Sequence, residues 1–361
     1  MKLLYKSQKY KKHSLKIARK QLKRRLLRKK RDKHFYRSVY KKTSDDQRSL
    51  RIKRKYKQTV NAPSNLSFLE DPNSVVLFLT KIESILSNSK SLYVEMKFVE
   101  KIDYATITAL FAILYTSRKK GIKIDGSMPG NPLARSILMK SGFIYTLFSD
   151  NPIVGHKYEF TANNQLFTLN DRDMNVVEEI VDSVSTVLAG EKCKIPGLYT
   201  TVGELMDNTI THAAENENER WWLSINCNHI DKKVEFVFID YGIGIFTSLS
   251  RKSGKEKIKK IFDEVCKSFG VDAVERHLEA IVKRSAGEEF NLSDGHGEGI
   301  YGIYNSLQRG DLNSLYIISN NAYGDIANNR YIKLKRELKG TLYYWEICVN
   351  NIKKYDYINS K

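Results

Sequence analysis

Three segments in the second half of the sequence combine carboxylates, amides and closely spaced glycines. In the first, residues 203–213, the apolar residues follow a helical period, and Glu204 and Asn208 lie one turn apart on one stripe of that predicted helix. A carboxylate beside an amide oxygen suits a hard cation, because Mg²⁺ prefers oxygen ligands and keeps water and phosphate oxygens around it. The alternative interpretation is an exposed polar helix face.

The second segment, residues 239–245, follows a predicted strand and contains Asp240, Gly242 and Gly244. Two glycines two positions apart allow the backbone to approach a flat ligand closely. A carboxylate at the strand end can accept a hydrogen bond from an exocyclic amine. The same residues also fit a turn that only ends the strand.

The third segment, residues 295–303, contains Gly295, Gly297, Gly299 and Gly302 and precedes a short helical pattern. Closely spaced glycines expose successive backbone N–H groups, and a helix N-terminus adds positive potential, so such a loop can bind phosphate. The spacing differs from that of a Walker loop, because no Gly-Lys-Ser or Gly-Lys-Thr ends it. A flexible turn has the same composition.

The elements around these segments form one group. Helical periodicity predicts helices at residues 174–188 and 197–214. Alternating apolar residues predict four strands and a short fifth, at residues 221–227, 234–240, 314–319, 341–349 and 331–334. Helices and antiparallel-type strands grouped in this way predict an α+β sandwich that places all three segments together.

The order and contents of the three segments resemble the GHKL ATPase family, which includes gyrase, chaperones, sensor kinases and anti-sigma kinases. The stretch from Glu204 to Asn208 resembles the N box of that family. The stretches at 240–244 and 295–302 resemble its two glycine boxes, and Gly340-Thr341 resembles its terminal Gly-Thr pair. The resemblance covers residues 165–350 and implies a domain that binds ATP and Mg²⁺.

The resemblance also implies a role for each matched residue. Asn208 would hold Mg²⁺ and the phosphates, and Glu204 would be the catalytic general base. Asp240 would bind the adenine amine, with Thr341 and a water molecule supporting it. The glycines would complete the ATP site, Gly242 and Gly244 beside the base and Gly295, Gly297, Gly299 and Gly302 around the phosphates. Residues 246–294 occupy the position of the family's ATP lid.

Three functions stay open for such a domain. A fourth function, that of a histidine autokinase, is disfavoured, because the predicted helix at 174–188 contains no histidine to accept a phosphoryl group. An ATP-dependent switch, or a slow ATPase subunit, that couples nucleotide state to a partner fits best. The alternatives are a serine/threonine protein kinase of the anti-sigma type and an adaptor that binds ATP without turning it over.

Residues 66–150 carry a separate pattern of alternating helices and strands that predicts βαβ connectivity, with Asp103 capping a helix. This stretch resembles a STAS domain, the fold of anti-anti-sigma factors, which implies a module that binds a protein partner. In bacteria, STAS domains and GHKL kinases are usually separate partners. Ala105 stands where that family carries its phosphorylated serine, and Thr106 and Thr108 are poor substitutes, so a scaffold without the regulatory serine is expected.

Charge is concentrated at the N-terminus. The chain of 361 residues has a formal charge of +20, and residues 1–60 hold 25 Lys and Arg against three Asp. A segment this basic cannot bury enough apolar surface to fold alone. Neutralisation by phosphates would stabilise it, and interleaved tyrosines could stack on unpaired bases. The predicted nucleic-acid contacts, to RNA or DNA, are Lys20, Lys23, Arg24, Arg25, Arg28, Lys29, Lys30 and Arg31. A solvated tail and an anionic membrane surface are the alternatives.

Other features bound the class of protein. The four cysteines are scattered without a Cys-x-x-Cys pair, which argues against a disulfide scaffold or a structural zinc site. No apolar run approaches the roughly 20 residues that span a bilayer, and no secretory signal pattern is present, so a cytoplasmic location is expected. GHKL domains often work as dimers, so a homodimer is a further expectation.

These patterns together predict an α/β and α+β architecture in three parts. They are a basic helical N-terminal arm (residues 1–62), a small STAS-like α/β domain (63–150) and a GHKL-type α/β sandwich that binds ATP (151–361). The Pro63-containing stretch at 60–65 is interpreted as the linker after the arm.

Overall fold

The structure is a computed structural model of the chain. It describes residues 55–148, 165–169, 174–213, 221–228, 231–247 and 298–352, together with Lys16, Lys23, Lys53, Leu278 and Val282. Two compact units are present, Met1–Tyr56 and Lys57–Lys361. In the first unit Lys16, Lys23 and Lys53 are helical, and Lys16 and Lys23 are exposed. The other predicted nucleic-acid contacts in the arm lie outside the described residues.

The second unit begins with a parallel-sheet region, defined here as residues 57–148. Its three-stranded sheet is entirely parallel, in the order β1 (Thr59–Asn61), β3 (Ser91–Glu95) and β5 (Lys123–Gly126). A short parallel pair consists of β2 (Asn65–Leu66) and β4 (Lys101–Ile102). Helices α1 (Pro72–Asn88) and α2 (Tyr104–Lys119) connect the strands, and α3 (Pro132–Lys140) and α4 (Phe143–Phe148) follow β5. The predicted βαβ connectivity is confirmed, because β3 and β5 pair in parallel across α2.

Side-chain caps explain where these helices begin. Asp71 accepts a hydrogen bond from the backbone N–H of Ser74 at the start of α1, and Asn131 caps α3 in the same way. Asp103 accepts from the N–H of Thr106 at 2.7 Å, which confirms the predicted cap of α2. Each cap satisfies one or two of the N–H groups that a first helical turn leaves without an intrahelical partner.

The prediction of a linker at residues 60–65 was wrong. Thr59–Asn61 forms β1 and pairs in parallel with β3, and Val60 is fully buried. Asn65 then enters β2. Pro63 lies between the two strands, where its missing N–H interrupts no ladder. The last residues assigned to the arm therefore belong to the sheet, because burial of Val60 outweighs the local turn signal.

An antiparallel-sheet region, defined here as residues 165–352, follows. Its five strands have the order β6 (Gln165–Leu169), β7 (Trp221–Asn228), β8 (Lys233–Asp240), β10 (Arg330–Cys348) and β9 (Ser314–Asp325). Its helices are α5 (Met174–Ala189), α6 (Pro196–Ala213) and α7 (Glu298–Gln308). The two strands predicted at 331–334 and 341–349 are one long strand, β10, whose pairing with β9 shifts register between Lys333 and Thr341.

The five-stranded sheet is covered on both faces. One face packs against α5, α6 and α7, and its core includes stacked ring pairs of Trp221 with Phe238 and of Phe236 with Trp345. The other face packs against α2, where Trp222 makes edge contacts with the rings of Phe111 and Tyr115. This two-sided burial explains why residues 221–226 of β7 are all buried instead of alternating with solvent.

The second unit is therefore a mixed α/β assembly that contains parallel and antiparallel sheets, as the sequence predicted in outline. Among the described residues, no helix is both long enough and apolar enough to cross a membrane.

Candidate functional site

Asp240 is the last residue of β8, in the middle of the antiparallel sheet. It lies opposite Thr341 on β10 and opposite Trp221 on β7. The backbone N–H of Gly242 donates a hydrogen bond of 2.9 Å to Asp240 Oδ1. A Cβ at position 242 would lie 2.9 Å from the same oxygen, so glycine suits this turn. The turn orients the carboxylate at the strand end, and the structure thus brings together Asp240, Gly242 and Thr341.

Two buried hydroxyl groups lie beside this turn. Thr341 Oγ1 and Ser319 Oγ are 3.1 Å apart, and both side chains are almost fully buried. The N–H of Ile245 donates to Ser319 Oγ at 2.8 Å. Ser319 therefore connects Thr341 to the loop after Asp240, and it orients the threonine hydroxyl that the family resemblance implied on the adenine side.

Asn320 holds the same loop from the other side. Its amide nitrogen donates to the carbonyl oxygen of Ile243 at 3.3 Å and to Thr247 Oγ1 at 3.2 Å, and its Oδ1 accepts from the N–H of Phe246 at 3.3 Å. Gly244 has φ +78°, and a Cβ there would overlap the Asn320 side chain. Gly244 is thus required by both its backbone conformation and its close approach to Asn320.

Sequence reasoning missed Ser319 and Asn320. The available signal was weak. Asn320 and Asn321 directly follow the strand predicted to end at Ser319, and asparagine is enriched among residues with positive φ. Asn320 has φ +51°. Its contacts with residues 243–247 join positions more than 70 residues apart, which no local pattern indicates.

Gly340 lies on β10, directly before the residue that pairs with the last residue of β8. Its φ is +85°, and a Cβ at this position would overlap the carbonyl oxygen of Asp240. Glycine is the residue that tolerates both conditions. The Gly340-Thr341 pair noted in the sequence therefore lies against Asp240 in the structure.

The first segment lies on α6 and the described part of the third lies on α7, and the two meet where these helices pack together. A Cβ at Gly302 would lie 3.5 Å from Glu204 Cγ and 3.7 Å from Thr200 Cγ2, so the two helices are in close contact there. Asn208 is one turn further along α6 and is partly exposed. Gly299 lies in the first turn of α7, where a helix leaves its N–H groups without an intrahelical partner.

Some predicted site residues cannot be placed. Gly295 and Gly297 lie outside the described residues, as does nearly all of the predicted ATP lid. Within the described parts of the chain, no group of three or more His, Cys, Asp or Glu could hold a metal ion. A Mg²⁺ ion at Asn208 would accordingly take most of its oxygen ligands from phosphate and water, which Mg²⁺ accepts readily.

Tyr241 connects the site to the parallel-sheet region. Its hydroxyl donates a hydrogen bond of 2.9 Å to the carbonyl oxygen of Ala109 in α2. Burial of the hydroxyl raises the pKa of Tyr241 well above its ordinary value, and the carboxylates of Glu83 and Asp240 raise it further. The phenol therefore stays protonated and remains a donor near neutral pH.

No model of a known protein family matches this sequence, and no curated protein matches it.

Proposed function

We propose that the antiparallel-sheet region is a GHKL-type domain that binds ATP with Mg²⁺, and that the chain is an ATP-dependent switch or slow ATPase subunit. In this proposal the nucleotide state is coupled to a protein partner, to nucleic acid, or to both. The observation that carries it is the Asp240 carboxylate, oriented at a strand end by the N–H of Gly242 and lying opposite Thr341.

The arrangement around Asp240 suits an adenine base. A carboxylate at this position can accept a hydrogen bond from an exocyclic amine, and the adjacent hydroxyl of Thr341 can orient a water molecule on the ring. Ser319 and Asn320 hold the loop at 243–247 through four hydrogen bonds, so little ordering remains to be done on binding. The space beside Gly242 and Gly244 is taken by the Asp240 carboxylate and the Asn320 side chain, so these glycines would serve the base by allowing the tight turn that orients Asp240.

The arrangement between α6 and α7 suits phosphate and Mg²⁺. The N–H groups in the first turn of α7, including that of Gly299, would bind phosphate oxygens. Asn208 would hold Mg²⁺, which would neutralise negative charge on the phosphates. Glu204 would accept a proton from the water that attacks the γ-phosphorus, as the bond from that phosphorus to the bridging oxygen breaks and ADP leaves. The contact of Glu204 with Gly302 supports this assignment, because it brings the helix of the first segment against the helix of the third.

The parallel-sheet region would act as a STAS-like module for a protein partner. Ala105 is fully buried, and so are Thr106 and Thr108. Thr106 Oγ1 accepts a hydrogen bond from the N–H of Phe68, and Thr108 Oγ1 donates to the carbonyl oxygen of Tyr104. Phosphorylation of either threonine would require helix α2 to open, so the module would respond to nucleotide through its packing on the sheet and not through a phosphate on α2.

The basic arm would bind nucleic acid through phosphate contacts, with RNA and DNA both open. A truncation of the arm tests this proposal, and it should end before β1, which begins at Thr59. A chain that starts at Lys57 keeps the sheet intact, whereas removal of residues 1–60 would delete part of β1. We expect the shorter chain to lose salt-sensitive retention on an RNA column; unchanged retention would refute a role for the arm.

The test of the nucleotide site uses γ-labelled ATP and Mg²⁺ with three variants of the full chain. Asp240→Ala should abolish binding, and Glu204→Gln should preserve binding but stop phosphate release. Asp231→Ala, at an exposed turn outside the site, is the matched control and should behave as wild type.

The outcomes of this test separate the possible functions. Phosphate release that both site variants abolish establishes an ATPase. Label transferred to protein establishes the kinase alternative, and binding without either product leaves the adaptor. If wild type does not bind ATP, or if Asp240→Ala binds as wild type does, the proposed site is wrong.

A further inference from the structure

A basic groove lies between helix α1 and the first half of β10, and Asn321 of β9 also lines it. Its volume is about 980 Å³. Four of the side chains that line it are cations and one is a carboxylate: Lys81, Lys333, Lys335, Arg336 and Glu337. A groove lined so unequally has a positive potential that attracts anionic groups.

The strand wall of the groove departs from regular pairing. β9 and β10 pair regularly up to Lys333 and again from Thr341, with a register shift on each side of the Leu338–Asn320 pair, and no β9 residue is paired with residues 334–337. The N–H of Lys335 instead donates to Asn73 Oδ1 of α1 at 2.8 Å. This irregularity leaves the side chains of Lys335, Arg336 and Glu337 exposed along the groove, while Leu334 is buried.

The helix wall adds an apolar contact. Leu77 is 53% exposed although it is a large hydrophobic residue, and Lys81 follows it one turn later on α1. Both line the groove, so a cation and an apolar side chain are presented side by side.

We infer that this groove binds an extended segment of a partner protein that carries acidic side chains and an apolar residue. The acidic side chains would pair with Lys81, Lys335 and Arg336, and the apolar residue would cover Leu77. The inference requires no nucleotide, so it stands whether or not the chain binds ATP.

The lining favours a peptide over nucleic acid. Proteins hold single-stranded nucleic acid by stacking bases on aromatic rings, and no aromatic side chain lines the groove among the described residues. The exposed Leu77 has no use in phosphate binding. The volume is within the range of ligand pockets.

The first test measures fluorescence anisotropy of a labelled short peptide in which Glu alternates with Leu, added to the full chain. The groove variant is Lys335→Glu with Arg336→Glu. The control variant is Lys90→Glu with Lys140→Glu, which changes two exposed lysines outside the groove and reaches the same net charge. Any attraction of the peptide to the basic arm is the same in both variants. We expect the groove variant to weaken binding about tenfold and the control variant less than about twofold. Equal weakening in both variants would overturn the inference.

The second test separates a peptide from a polyanion. Leu77→Ser should weaken binding of the Glu-Leu peptide several-fold but leave binding of a Glu-Ser peptide unchanged, because only the first has an apolar contact to lose. A labelled oligonucleotide should bind the groove and control variants equally. If the groove variant instead weakens the oligonucleotide as much as the peptide, or if Leu77→Ser affects both peptides alike, the groove is not a site for such a segment.

Discussion

The hydroxyl of Tyr241 donates a hydrogen bond to the carbonyl oxygen of Ala109, 2.9 Å away, and so joins the loop after Asp240 to helix α2. Tyr241 lies between the two residues proposed to face the adenine base. Ala109 lies in the middle of the helix that covers the opposite face of the sheet. A change in the nucleotide loop therefore has a direct path to the module proposed to bind a protein partner.

Tyr241→Phe removes this hydrogen bond and retains the ring. We expect the free energy of unfolding, measured by urea denaturation, to fall by about 1 kcal/mol, the usual net value of one hydrogen bond. Tyr199→Phe, at a tyrosine that is 42% exposed, is the control and should change stability by less than about 0.5 kcal/mol. An equal loss of unfolding free energy in both variants would mean that the hydrogen bond of Tyr241 adds no stability of its own.

Gly340→Ala should be far more damaging than an ordinary substitution at a glycine with positive φ. Gly310 has φ +72° and open space around it, so Gly310→Ala measures backbone strain alone, at about 1 kcal/mol. Gly340 has φ +85° and also contacts the carbonyl oxygen of Asp240, so Gly340→Ala should cost more than about 3 kcal/mol. Thermal unfolding of both variants makes the comparison, and similar shifts would show that β8 and β10 can separate easily.

The ring contact between Phe111 and Trp222 should couple the two regions energetically. Their ring centroids are 5.5 Å apart in an edge-on arrangement. A double-mutant cycle with leucine at both positions should give a coupling of about 0.5–1.5 kcal/mol. The control cycle pairs Phe111→Leu with Trp345→Leu, because Trp345 packs on the opposite face of the sheet. That cycle should be additive, and a Phe111–Trp222 cycle that is also additive would contradict the coupling.

Asp103 should make stability depend on pH in a direction opposite to most carboxylates. It accepts hydrogen bonds from Thr106, Leu69 and Ser67, yet burial outweighs them and raises the pKa of its carboxyl above the ordinary value. A raised pKa in the folded state means that the stability contributed by the protonated group is complete below about pH 4 and is lost as the pH rises through the folded pKa.

Two variants test this effect. Asp103→Asn keeps a cap without a charge, whereas Asp103→Ala leaves the donors unpaired and should cost about 2 kcal/mol or more at any pH. The stability of wild type relative to Asp103→Asn should fall between pH 4 and pH 8 in urea titrations. A relative stability that rises over this interval would show that hydrogen bonding, and not burial, controls the carboxyl.

Local signals explain what the sequence alone determined. Helical periodicity predicted α5 and α6 within a few residues, and the cap at Asp103 predicted where α2 begins, because both signals act over one or two turns. Alternation predicted β7 and β8 in the same way, but it missed β6, ended β9 at Ser319 and divided β10 into two strands. The glycine at 340 could be singled out beside Thr341, although the reason for it, the carbonyl oxygen of Asp240, could not.

Tertiary structure decided the rest, because the deciding contacts join residues that are far apart in the chain. The strand at Thr59–Asn61 exists since β3 and the core bury Val60, which overrides a local turn signal. Ser319 and Asn320 enter the candidate site only when β9 folds back beside the loop at 243–247. The pairing of Trp222 with Phe111 unites two regions that the sequence describes separately, because apolar strand faces show that they must be buried but not which helix covers them.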